Sequence, residues 1–328
     1  MPTTALFGPY GSQALQHGER LAEYGCNAVW FHGFDERAFD ACARHDLAPC
    51  VEFPTFRTNY DEHPELVPIG ADGEPVRRGR LFQGVCLSQR GFVDRIAADL
   101  LAGVQRYQPT GIWLDYLTYG GWFEVPDPDL QESCFCPACI AEFCEATGVD
   151  AATPQAILAH HAGAWARHKG ERVAGYATQY AAIIREHLPD CLIGAYMCPW
   201  APDEFDGALK RIFAQDHALL APSIDVFTPL IYAAKCGRAP GWAAEVLTAS
   251  AAWVPAGRKV QLILDALDFP ASLQAAAASP APSWGVQMYG GADLFVDPTQ
   301  ARQWADAIAQ MRGNLEGGAC DDHPPLVR

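Results

Sequence analysis

RGFVDRIAADLLAGVQRYQPTGIWLDYL, residues 90 to 117, is a helix that runs into a strand. Phe92, Ile96, Leu100 and Val104 recur at fourfold spacing, an apolar stripe fit to cover a sheet. Ile112-Trp113-Leu114 then forms a short buried strand that ends in Asp115. Repetition of such a unit builds a parallel sheet covered by helices.

The unit does repeat. Apolar runs at residues 5–10, 27–33, 47–53, 111–117, 191–197, 224–232, 259–267 and 284–290 read as strands, and eight is the count of a closed β/α barrel. Between them SQALQHGERLAEYG places Leu15 and Leu21 on one stripe and stops at Gly25, while DERAFDACARHD opens on an acidic first turn suited to the helix dipole. Thr153-Pro154 reads as an N-cap with proline at the first helical position, opening a helical region to about Leu188 that Gly163, Gly170 and Gly175 interrupt. A last helix runs from Pro298 to about Gly313. An open dinucleotide-binding sheet would carry Gly-x-Gly-x-x-Gly after its first strand, but Gly8 and Gly11 are separated by Pro-Tyr and lead into no such fingerprint. The expected fold is therefore α/β, a single-domain (β/α)8 TIM barrel over residues 1–313, with 314–328 a loosely held tail. Two insertions, 54–90 after strand three and 118–153 after strand four, fall on the face where such barrels build their sites.

Composition narrows the function. Of 328 residues half are hydrophobic, nine are Trp and eleven Tyr, ample for a large core and for aromatic surfaces that stack on flat apolar ligand faces. With 23 Lys and Arg against 39 Asp and Glu, the formal charge of −16 repels phosphate backbones and anionic lipid heads, so no nucleic-acid or membrane partner is expected. The N-terminus has neither a basic nor an apolar signal region, and no run approaches a membrane span. A cytoplasmic location follows as the expectation, with the twelve cysteines reduced. Homo-oligomerisation stays open.

Strand ends supply the candidate chemistry. His32, Glu52, Asp115, Met197, Cys198, Tyr232, Asp265, Gln287 and Tyr289 converge on one mouth. A carboxylate such as Asp115 costs several kcal/mol to bury unless it is paired, which makes it a candidate for chemistry. Asp265, ending Val260-Gln261-Leu262-Ile263-Leu264, has the same character, and Asp268 competes with it for the site. Two carboxyls across a barrel mouth are what glycosidic cleavage requires, one protonating the leaving oxygen and the other attacking or activating water. Trp30, Tyr116, Tyr119, Trp122, Trp200, Tyr232 and Tyr289 gather at the same mouth and suit the C–H faces of a sugar.

Cys134-x-Cys136-x-x-Cys139 supplies three thiols, and a structural zinc takes four. Either Cys144, five residues on in a helix, or Cys86, in the preceding insertion, could complete the set.

The segment DYLTYGGWFEVPDPDLQESCFCPACIAEF, residues 115 to 143, resembles the region after strand four in glycoside hydrolase family 42 β-galactosidases and related barrel glycosidases. The likeness extends over about residues 80–145, and DVFTPLIY (225–232) resembles an Asp-x-x-x-Pro-x-x-Tyr strand of the same broad group. The resemblance implies a β/α barrel and one structural zinc per chain, held by Cys86 with Cys134, Cys136 and Cys139. The family ends strand four with Asp-Asn-Glu, whose Glu is the acid/base, whereas this chain reads Asp115-Tyr116-Leu117. The acid here is then Asp115 or a loop residue such as Glu124, and a strand-four Asp resembles the nucleophile of α-galactosidase-type barrels.

The functional expectation is a glycoside hydrolase acting on a small oligosaccharide or glycoside, with retention. Asp115 serves as nucleophile and Asp265 as acid/base, with the reverse allowed. Tyr232 stabilises the transition state, Glu52 and His32 hold hydroxyls, and Trp122, Gln287 and Tyr289 complete the sugar contacts. Two other readings compete: a barrel that binds sugar without cleaving it, and a phosphate-handling barrel suggested by Tyr289-Gly290-Gly291. The lack of a Lys or Arg on the strand ends weighs against the second.

Overall fold

The computed structural model of the chain describes residues 4–76, 84–151 and 153–318. Its strands are β1 (Leu6–Tyr10), β2 (Ala28–His32), β3 (Ala48–Pro54), β4 (Gly111–Asp115), β5 (Leu192–Met197), β6 (Val226–Ile231), β7 (Lys259–Val260), β8 (Leu262–Asp265) and β9 (Gly285–Tyr289). All pair in parallel, and β1–β9 and β5–β6 close the ring; β7 and β8 are one stave interrupted at Gln261, so the barrel has eight. The helices are α1 (Gly18–Glu23), α2 (Glu36–Arg44), α3 (Arg90–Arg106), α4 (Pro137–Thr147), α5 (Pro154–His160), α6 (Ala162–His187), α7 (Glu204–Arg211), α8 (His217–Leu220), α9 (Trp242–Trp253), α10 (Ala271–Ala277) and α11 (Pro298–Gly318). Each of the eight expected strands is present.

The twofold period of the strands sorts their side chains into two cores. Leu6, Trp30, Cys50, Trp113, Tyr196, Val226 and Ile263 fill the barrel, while their chain neighbours such as Phe7, Phe31, Val51, Ile112, Ala195, Phe227 and Leu264 pack outward beneath the helices. Trp30 and Trp113 cross edge to face at 5.4 Å inside the barrel, and the Trp113 indole donates to Thr228 Oγ1 at 2.8 Å. Trp30, expected at the mouth, therefore belongs to the interior. Gly194 makes room for this layer: a Cβ there would stand 2.4 Å from Trp113 Nε1.

Two boundaries differ from expectation. The helical region after Thr153 breaks at His161, and α6 then continues through Gly163, Gly170 and Gly175. Its buried Trp165, Val173, Tyr176, Tyr180 and Ile184 outweigh a cost of about 1 kcal/mol per helical glycine. At Gly170 the missing side chain admits Leu219 of α8. The last helix passes Gly313 and reaches Gly318, so the expected tail begins in helix, and its residues 319–328 lie outside those described.

The two insertions pack on each other above the mouth. Gly70 bridges Ser133, Phe135 N–H donates to Ile69 O at 2.8 Å, and Gly84 meets Gly120 so closely that a Cβ on Gly84 would lie 2.3 Å from Gly120 N. Gly194→Ala should push Trp113 off Thr228 and lower stability by about 1–3 kcal/mol, the usual range for an overfilled core. Urea unfolding measures it; an unchanged midpoint would show that the layer is loosely packed.

Candidate active site and cysteine cluster

The same alternation builds the mouth. One pleat repeat above Gly8, Trp30, Cys50, Trp113, Gly194, Leu230, Ile263 and Gln287 stand Tyr10, His32, Glu52, Asp115, Tyr196, Tyr232, Asp265 and Tyr289. Register aligns His32 with Glu52, and Asp265 and Tyr10 each with Tyr289. With the two insertions they surround a cavity of about 350 Å³ lined by Tyr10, His32, Glu52, Arg57, Asp115, Tyr116, Trp122, Glu124, Tyr196, Tyr232 and Tyr289, among others.

Glu52 and Asp115 form its floor. Tyr10 Oη donates to Glu52 Oε2, His32 Nδ1 lies 3.0 Å from the same oxygen, and Asp115 Oδ1 accepts from Tyr116 N at 2.9 Å. The charge on Glu52 disfavours a second charge on Asp115 beside it. Burial, then the Glu52 charge, hold Asp115 well above the carboxylate range. Burial also pushes Glu52 upward, but His32, Tyr10 and Asp115 pull it below its ordinary value. Asp115 is accordingly the protonated member, and the bond His32 makes to Glu52 likewise raises the imidazole. Tyr116 takes a left-handed φ of 54°, uncommon for a bulky residue, and its ring faces the cavity with Arg57 5.5 Å from its centroid.

Opposite this floor stands an aromatic wall. Tyr10, Tyr289 and Tyr232 form a row with centroids 5.5 and 5.4 Å apart, and Lys235 lies 4.4 Å over Tyr232 and 4.8 Å over Tyr289. A cation thus does stand beside Tyr289, delivered by the loop after β6. Its ammonium is taken by Asp265 Oδ2 at 2.7 Å and Glu124 Oε2 at 3.5 Å. Burial raises the Glu124 carboxyl and Lys235 opposes it.

The expected site residues separate into two sets. His32, Glu52, Asp115, Trp122, Tyr232 and Tyr289 line the cavity. Asp265 is buried behind it, with Oδ1 on Leu267 N at 3.0 Å and Oδ2 on Lys235. Asp268, its competitor, accepts from Ala234 N. Gln287 is buried one layer down, its carboxamide 2.6 Å from Tyr196 Oη and 2.8 Å from Gln261, and so supports Tyr196 from beneath. Tyr10 and Tyr196, not singled out from the sequence, sit at strand positions of the same parity as Glu52 and were legible by that rule. Arg57, Glu124 and Lys235 come from loops, where no periodicity marks them.

The cysteine cluster lies where the insertions meet. Cys86, Cys134, Cys136 and Cys139 place their sulfurs within 4.8 Å of one another, with Cys86 3.7 Å from both Cys136 and Cys139. A tetrahedral ion with metal–sulfur bonds of about 2.3 Å needs sulfurs about 3.8 Å apart, so the set fits one. Cys144 is excluded from it, donating instead to Ala151 O at 3.4 Å. Ser88 Oγ approaches Cys139 Sγ at 3.0 Å, and Arg172 reaches Ser88 Oγ and Leu87 O while pairing with Glu142. The loop between the mouth and the cluster is also tied by the fully buried Lys169, which bonds Glu132 at 3.2 Å and the Arg211 carbonyl.

No family model and no curated protein matches the chain. Solved structures share its fold. The glycoside hydrolase domain of PgaB (BpsB) from Bordetella bronchiseptica aligns with a TM-score of 0.70 at 12% identity, over 94% of this chain and 98% of that domain. Gan42B, a GH42 β-galactosidase from G. stearothermophilus, aligns in the form of a catalytic mutant with a TM-score of 0.66 at 12% identity, over 96% of this chain and 57% of its own. The β-galactosidase of the psychrophilic Marinomonas ef1 aligns at 0.64 and 11% identity, over 95% and 60%. The chain thus spans 57% and 60% of these two β-galactosidases. At such identities the likeness is one of fold, a TIM-barrel architecture that these proteins have in common. Among the described residues no helix is long and apolar enough to cross a membrane.

Because the folded state keeps the Asp115 proton above the pH at which the unfolded chain releases it, this group costs stability as pH rises from the ordinary carboxylate range toward its raised value. Asparagine keeps an oxygen to accept from Tyr116 N and brings no charge beside Glu52. Asp115→Asn should therefore melt above the parent at pH 7, with the gap closing in acid. A melting temperature below the parent at pH 7 would reject the raised Asp115 carboxyl.

Proposed function

We propose that the chain is a glycoside hydrolase acting on a small oligosaccharide or glycoside at this mouth. The observation that carries the reading is the placement of Asp115 beside Glu52 at the floor of an aromatic-walled cavity that Glu124 also lines, where burial and the Glu52 charge raise the Asp115 carboxyl. Proton donation to a leaving oxygen needs such an acid, and the Tyr10, Tyr289 and Tyr232 row offers the flat apolar faces that sugars stack on. The barrel shared with proteins described as glycoside hydrolases agrees with it. We assign Asp115 the acid/base role, the reversed assignment that the sequence allowed, and Glu124 the attacking carboxylate in place of Asp265. Retention of configuration follows if Glu124 attacks directly. Glu52 sets the state of Asp115, and His32, Tyr232 and Trp122 contact the sugar.

A panel of aryl glycosides of both anomers tests this. Asp115→Asn and Glu124→Gln should each lower kcat by about 10²- to 10⁴-fold, with the Asp115 variant still folded. Full activity in Asp115→Asn would sink the acid assignment. Binding by calorimetry with no aglycone released from any member would instead favour a sugar-binding barrel.

We propose that the ion at Cys86, Cys134, Cys136 and Cys139 is one structural zinc, which four thiolates favour over harder cations. It would clip the insertions together and supply no chemistry to the sugar. Metal analysis should find about one zinc per chain, with Cys136→Ser losing it and melting lower; full zinc occupancy in that variant would remove Cys136 from the ligand set.

A further inference from the structure

Asp265 ends its strand as a catalytic carboxylate would, yet it does not border the cavity among the described residues. Its two oxygens are committed, Oδ1 to Leu267 N at 3.0 Å and Oδ2 to the Lys235 ammonium at 2.7 Å. Lys235 in turn stands between Asp265 and Glu124, 3.5 Å from the latter, and lies over the rings of Tyr232 and Tyr289. Of these neighbours Glu124, Tyr232 and Tyr289 line the cavity. The ammonium is thus fixed from behind by a rigid strand end and from the sides by two phenol rings. Glu124 meets it from the loop side.

We propose that Asp265 and Lys235 are positioning residues for Glu124: the strand-end carboxylate anchors the lysine, and the lysine holds the loop carboxylate at the cavity wall and favours its charged form. This rests on the role given to Glu124 above. Glu124 is carried on a loop and borrows its fixed position from the strand end through Lys235; without the ammonium, burial and the Asp265 charge would favour its neutral form. The charges balance along the row: one ammonium serves two carboxylates, so each partner's hold on it weakens the other's. The other titratable groups facing Glu124 are the phenols of Tyr116 and Tyr232 and the thiol of Cys236, all of which burial keeps protonated. Burial works against the charge on Lys235 itself, and its bond to Asp265 leads the contacts that more than compensate.

The test is the pH profile of kcat/KM on the aryl glycoside that the parent protein turns over best. Lys235→Met should move the acidic limb to higher pH by about 1–3 units, the range for an opposite charge at this distance, and Lys235→Arg should restore most of it. Asp265→Asn removes a charge that opposes the one on Glu124 and should move the same limb to lower pH, while loss of the anchor lowers kcat. Opposite displacements support the arrangement; a limb that stays in place while rates fall in both variants assigns the pair a purely structural role and overturns it. If Lys235→Met does not fold, Asp265→Asn and Lys235→Arg still decide, an unmoved limb in Asp265→Asn counting against the proposal. Full activity in Glu124→Gln would overturn the functional reading beneath it, a result distinct from an unmoved limb in an enzyme that needs Glu124.

Discussion

Closure of the parallel sheet is the constraint on which the rest depends. Once β1 pairs with β9 and β5 with β6, every second strand residue must point at the axis, and the space there has to be filled. Trp30 and Trp113 fill the middle layer, admitted by Gly194 and held by Thr228. The layer above is covered by the two insertions and, at Tyr232 and Tyr289, by the loop that carries Lys235. Polar residues there are consequently packed against one another yet open to a ligand, which is how Glu52 and Asp115 come to stand together at the cavity floor.

The mouth is divided electrically. On its floor, hydrogen bonds from Tyr10 and His32 draw Glu52 toward its charged form, and burial with that charge draws Asp115 toward its neutral one. On its wall, two further carboxylates are matched by a single ammonium on Lys235. Environments that push like groups apart in protonation are the means by which one fold runs acid and base chemistry together. The net charge of −16 is a property of the whole chain and gives no hint of this arrangement.

The cysteine cluster bears on the same cavity through packing. Gly84, two residues before Cys86, lies against Gly120 in the loop that continues to Trp122 and Glu124 and ends at Cys134. The four sulfurs that meet at one end of that loop and the Lys169–Glu132 pair near it tie the loop to the rest of the fold. Cys86 rather than Cys144 completes the set because α4 turns Cys144 toward Ala151, away from the sulfurs that meet.

The sequence by itself determined the barrel, its eight strands and the parity of their side chains, because a period of two and a stripe of period near four are local consequences of backbone geometry. That parity already placed His32, Glu52, Asp115, Tyr232 and Tyr289 on one rim. It also placed Asp265 there, and only the tertiary structure could decide that Lys235 stands in front of it, since a loop's path depends on contacts made far along the chain. The places of Glu124 and Arg57 were decided in the same way, and Gln287 proved one layer too deep. The glycines of α6 lie on the same divide: propensity speaks for a break, and the buried face, which exists only in the folded chain, overrules it.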